Sequence, residues 1–310
     1  MNVQCVDDVT SPVKPMLADL AFCIDRFVPE RRDELASMTR DVQIAVSEQP
    51  KWLLEAAFRT IQMSTGVLEV VWALVAGYWA TYSGLEGTDA SSGTADIEIT
   101  EERVAAWTLF LWARRQLSWD SAASSAEPWP DVRITPGGTS TLERIATELT
   151  LGSMAVYLLH ELHHLSTSEG RTDDAVAGHR AHENRVGEEA DCDDFATTMV
   201  FERHPMDAVI REKRTLCLSV ALVIIVGHGI VRGFHDGIEH PRTYDRLMRQ
   251  LDRWLVEGDS SWTVVMTMLA LHFRAEKRSD DIGRACTTFR DAVLLYRDIL
   301  RHDDEVRTWG

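Results

Sequence analysis

The chain has 310 residues, 45% of them hydrophobic and 26% charged, a composition typical of soluble globular proteins long enough to bury a substantial core. Its formal net charge of −17 repels phosphate backbones, so nucleic acid is not an expected partner. Five cysteines, odd in number and without a C-x-x-C pair, argue against a disulfide framework and a cysteine-built zinc site, and fit a reducing cytoplasm.

The first residues, MNVQCVDDVTSPVK, read as a loose leader without a basic-then-apolar export pattern, and a cytoplasmic location is expected. Residues 15–49 read mainly as helix, with Pro29 marking a break or a new first turn. Residues 51–85 continue as apolar helix. Its core, residues 67–82, falls short of a comfortable membrane span and carries Glu69; residues 216–231 have the same shortfall and contain His228. Buried helices are the expectation for both, and a membrane is not an expected partner. Residues 87–93 (GTDASSG) form a joint, which suggests an N-terminal helical region over 1–86 and a second region over 94–310, with one continuous domain as the alternative.

Residues 96–100 (DIEIT) and 132–135 (VRIT) alternate like short strands that would give an extended peptide an edge to lie on, although ordinary loop is the preferred reading. Thr100 is a plausible N-cap for a helix over 101–117. Ser140 and Glu143 form a capping-box signature for a long helix running past residue 160. A polar loop is expected over 166–187, then helices to Arg203 and over 208–231, 244–256, 260–275 and 280–301. The mixed-sign run Arg211–Arg214 reads as a solvated helix end. The fold class is therefore mainly α, a multi-helix protein with few short strands.

On the long helix His160, Glu161 and His164 spell H-E-x-x-H. Residues four apart share a helix face, so both imidazoles can reach one metal ion while Glu161 points to where an attacking water would lie. His163 sits off that line and reads as a supporting or surface group. Catalytic zinc takes three protein ligands and keeps one open position. Further on, Glu189, Cys192, Asp193, Ala196, Met199 and Val200 fall on one largely small or apolar helical stripe, and Glu188, Asp191, Thr198 and Glu202 on a polar one. Glu189 is therefore the expected third metal ligand. Asp193, one turn later, is placed to accept a hydrogen bond from a ligand imidazole.

The segment Glu189-Ala-Asp-Cys-Asp193-Asp-Phe-Ala resembles the E-x-x-x-D-x-F-A helix of gluzincin peptidases, with Cys192 in place of the usual alanine. His240-Pro241 with Arg246-Leu247 is similar to the H-P-x-x-x-x-R-[IL] segment of the HtpX-like group. The order of these pieces, and the entry of Lys213-Arg214 into an apolar helix, most resemble the Lit-type phage-exclusion peptidases. The resemblance spans roughly residues 142–247. It implies a zincin-like fold with an active-site helix and a zinc-dependent endopeptidase of phage defence, working on a protein or peptide substrate. Elongation factor Tu, a translation factor, is the target associated with that family. It further implies Zn2+ held by His160, His164 and Glu189, Glu161 as general base, and His240 and Arg246 lining the cleft and stabilising an oxyanion. An equal alternative is that His240-Pro241 forms a helix-start turn, with Arg246 in a structural salt bridge. A second reading is a non-catalytic helical binding or regulatory protein with a structural zinc site. A di-iron bundle is disfavoured, because no second E-x-x-H occurs.

Overall fold

The computed structural model describes residues 1–5, 10–49, 52–85, 98–117, 127–168, 181–202, 207–232, 241–256, 259–276 and 288–308. Among them lie four strands: β1 (Asn2–Cys5), β2 (Gln43–Ser47), β3 (Leu54–Ala57) and β4 (Thr60–Ser64). The helices are α1 (Leu17–Leu20), α2 (Cys23–Phe27), α3 (Arg32–Thr39), α4 (Thr65–Leu85), α5 (Glu101–Leu117), α6 (Thr141–Ser168), α7 (Ala181–Phe201), α8 (Ala208–Arg232), α9 (Thr243–Trp254), α10 (Ser261–Ala275) and α11 (Phe289–Thr308). The fold is mainly α with a small sheet.

That sheet departs from the expected elements. Its order is β1-β2-β4-β3, with β1, β2 and β4 parallel and β3 antiparallel at the edge. The expected leader therefore opens with a strand, and residues 43–47, 54–57 and 60–64 are strands where helix was expected. Period-two burial explains β2 and β4: Ile44, Val46, Ile61 and Met63 are fully buried on one face. The β3–β4 hairpin turns through Phe58 and Arg59, at φ 49° and 62°, the left-handed pair that a tight two-residue hairpin demands. Conversely, residues 132–135 form no strand. Of the other alternating stretch, Asp96 and Ile97 lie outside the described residues and 98–100 is irregular.

The helix starts follow their local chemistry. The Arg103 amide donates to Thr100 Oγ1 at 3.2 Å. At the head of α6, Ser140 N–H donates to Glu143 Oε2 (2.9 Å) while Glu143 N–H donates to Ser140 Oγ (3.2 Å), a reciprocal capping box. From there α6 runs through the middle of the molecule, packed by α4, α7 and α8 and flanked by β3 and β4. One cluster of buried apolar side chains extends from Val13 to Leu300. The helix α8 is long and apolar enough to cross a membrane, but 78% of its apolar window is buried inside the fold, as in a core helix.

The run Arg211–Arg214 is not simply a solvated end. Arg214 is 4% exposed, forms an ion pair with Glu30 at 2.6 Å and donates to the Val200 carbonyl at 2.9 Å. It ties the N-terminal segment to the end of α7, which helps hold α7 against α6.

Candidate active site

The long helix α6 carries His160, Glu161 and His164, and α7 crosses it with its buried stripe inward. Cys192, Asp193, Ala196, Met199 and Val200 are all buried, as the helical phase requires. Glu189 meets both imidazoles. Its Oε2 lies 3.2 Å from His160 Nε2 and its Oε1 3.1 Å from His164 Nε2, while the two Nε2 atoms are 3.2 Å apart. Donors bound about 2.0–2.1 Å from a tetrahedral zinc ion stand about 3.3 Å from each other. The three side chains therefore have the spacing and chemistry of a triad able to hold a metal ion. Glu188 is half-buried rather than exposed.

Asp193 stands behind His160, accepting from Nδ1 at 3.0 Å. Arg246 of α9 grips the same carboxylate with two bonds, Nε to Oδ2 and Nη2 to Oδ1, both 2.7 Å. Arg246 thus forms the structural salt bridge that was one of its two expected roles, at the wall of the site cavity. Burial alone would lower the His160 pKa, but hydrogen bonds to Asp193 and Glu189 outweigh it and raise the value to about 9. Against the cost of burial, Arg246 and His160 pull the Asp193 carboxyl down to about 2. Glu161 is raised, chiefly by burial, although the two histidines and the Ala56 amide oppose the shift. A carboxyl poised upward in this way holds an abstracted proton better than an exposed one.

Cys192 adds a second donor near the pair: atoms of His160, His164 and Cys192 all fall within 4.8 Å of one another, a group able to hold a metal ion. The two possible donor sets are not equivalent. The Cys192 sulfur lies 3.4 Å from His164 Nδ1, whereas Nε2 of the same ring faces His160 and Glu189. One imidazole gives one nitrogen to one ion, so the Glu189 set is the better formed. His163 turns elsewhere and stacks on Phe195, with centroids 4.6 Å apart. His240 lies outside the described residues.

Beside the triad opens a cavity of about 360 Å3, lined by His160, Glu161 and Glu189 on one side and by Trp52, Tyr157, His228 and Arg232 on others. Sequence reasoning missed these four as site residues. The signal for His228 was its place in Gly-His-Gly on an otherwise apolar helix; its ring stacks on Trp52 with centroids 6.2 Å apart. Burial, with help from Arg232, lowers its pKa to about 4. The sheet edge reaches the same place. Ser64 donates to the Leu53 carbonyl, so along this antiparallel ladder Leu54 and Ala56 turn their peptide groups away from β4, and the Ala56 amide meets Glu161.

No curated protein and no solved structure matches the chain. A family model, Peptidase U49, matches residues 61–268, about two thirds of the length, and the matched region contains α6, α7 and α9 with every residue of the triad and its supports. With that match laid over this geometry, the chain belongs to the Peptidase U49 family and is a peptidase.

Proposed function

We propose that this peptidase is a zinc-dependent endopeptidase of the gluzincin type, with the ion held by His160, His164 and Glu189. The observation that carries this reading is the convergence of His160 Nε2, His164 Nε2 and the Glu189 carboxylate at 3.1–3.2 Å beside an acidic group that is not part of the triad, Glu161. Bound zinc supplies Lewis acidity, polarising the scissile carbonyl and making water a stronger acid.

The protein's own groups do the rest. Glu161 accepts the proton of the attacking water on its carboxylate and later delivers it to the departing amine. The Ala56 N–H fixes that carboxylate against the edge of β3. Asp193, braced by Arg246, orients His160 so that its Nε2 faces the triad. With Arg246 engaged in that way, oxyanion stabilisation falls to His240 in this reading. A protein substrate enters extended along β3, adding a strand to the sheet where the outward peptide groups of Leu54 and the carbonyl of Ala56 lie. This edge takes the place of the alternating stretches 96–100 and 132–135, for which loop was the preferred reading and a peptide-binding edge the alternative. A structural zinc site would be closed by four protein ligands, whereas this triad borders an open cavity.

The test is Glu161→Gln, assayed by gel on elongation factor Tu and on casein as a general protein substrate. The variant is expected to keep its zinc and its fold yet lose cleavage by ~10²- to 10⁴-fold, because an amide cannot take the water proton. Cleavage at the wild-type rate with zinc still bound would favour a structural ion.

A further inference from the structure

Two adjacent residues of α7 back the two imidazoles. His160 gives its Nδ1 to Asp193 at 3.0 Å, and His164 gives its Nδ1 to the sulfur of Cys192 at 3.4 Å. Successive residues of a helix diverge by about 100°, so neighbours on α7 can each address a different ring of α6, while Glu189, one turn earlier, reaches the Nε2 atoms of both. Cys192 is 1% exposed, so its thiol sits inside the helix interface and not in the cavity opening.

We infer that Cys192 is the positioning residue of His164: its sulfur accepts the Nδ1 proton and so presents Nε2 to the metal. This rests on the metallopeptidase reading above. An imidazole can turn over about its Cβ–Cγ bond, which exchanges Nε2 with Cε1 and removes the ligand atom from the triad. It can also carry its single neutral-state proton on either nitrogen. An acceptor at Nδ1 selects against both alternatives at once. Asp193 performs this task for His160 with a charge that Arg246 neutralises; Cys192 performs it for His164 without adding a charge. The sulfur is not itself a ligand here. It lies against the Nδ1 side of a ring whose Nε2 already faces Glu189 and His160.

The experiment uses the full chain with Zn2+ and Co2+ as probes. Zinc affinity is measured by competition with a chelating dye for the wild type, Cys192→Val, Cys192→Ala and Cys192→Ser, alongside the thermal midpoint of each metal-free protein. Valine keeps the volume and removes the acceptor, alanine removes both, and serine keeps an acceptor. Valine and alanine are expected to weaken zinc binding by ~10- to 100-fold, with serine restoring most of the loss, whatever the metal-free midpoints do. The cobalt form of the wild type is expected to absorb as a four-coordinate ion with no sulfur-to-cobalt charge-transfer band. Wild-type zinc affinity in the valine or alanine variant, or a serine variant as weak as both, would overturn the inference. So would a sulfur-to-cobalt band that disappears on substitution, which would make Cys192 a ligand. If one variant fails to fold, the other acceptor-free variant and the cobalt spectrum still decide. A wild-type protein that binds no metal would instead sink the metallopeptidase reading itself.

Discussion

Arg246 and Asp193 form a buried pair whose carboxylate also orients the His160 imidazole. The arginine side chain is 11% exposed and the aspartate side chain 9%, and two bonds of 2.7 Å join them. With charge centres about 4 Å apart and an effective dielectric of about 20, the attraction is about 4 kcal/mol. Arg246→Met leaves a buried carboxylate supported only by His160, and Asp193→Asn leaves a buried guanidinium facing a neutral amide. Stranding either partner is expected to cost about 3–5 kcal/mol, measured by urea unfolding of the metal-free protein. The double variant is expected to lose less than the two singles together by about 2 kcal/mol or more. Because the pair holds the Asp193 carboxyl at about 2, against an ordinary value of 3.8, its contribution is present above pH 3.8 and lost as pH falls through about 2. Additive losses, or singles that cost less than about 1 kcal/mol, would refute the reasoning.

Two further expectations concern α8 and the helix beneath it. A Cβ on Gly227 would lie 2.5 Å from Cε1 of the buried His272 ring. Gly227→Ala should therefore destabilise by ~1–3 kcal/mol despite the gain of about 1 kcal/mol that the exchange gives in an open helix; a rise in urea midpoint would contradict the packing argument. His272 is held neutral: burial, then Arg114, lowers its pKa from 6.5 to about 3. The unfolded chain binds that proton below pH 6.5 and the folded chain refuses it until about 3, so stability should fall as pH drops through this window. The slope is at most about 1.4 kcal/mol per pH unit, and His272→Gln should flatten it between pH 6.5 and 5. An unchanged slope in the variant would show that His272 is not the group responsible.

Much of the site was legible because its signals are local. The capping box at Ser140 and Glu143, the four-residue step from His160 to His164, and the stripe that selects Glu189 over Glu188 depend only on helical periodicity. The surroundings of Asp193 were half legible: a bond from one of the ligand imidazoles followed from the turn spacing, but which ring it would be, and its clasp by Arg246, 53 residues on, did not. The sheet was hidden for a different reason. Leu54-Glu-Ala-Ala57 is built from good helix formers, and its strand state is fixed by pairing with β4 across a turn. β1 and β2 pair across some forty residues, a contact that local propensity cannot register. Trp52, His228 and Cys192 went unassigned because each acquires meaning from a neighbour far away in the sequence.

The most direct test of the central claim is the metal content of the purified protein compared across three chains: wild type, Glu189→Ala and Glu188→Ala. Glu189 touches both imidazoles at 3.1–3.2 Å, and its neighbour occupies the next stripe of the helix. Wild type and Glu188→Ala are expected to carry about one zinc per chain, removable by chelator, as a single site with three protein ligands requires. Glu189→Ala is expected to carry almost none. Equal zinc in both variants, loss confined to Glu188→Ala, or a wild type that takes up no zinc would contradict the account.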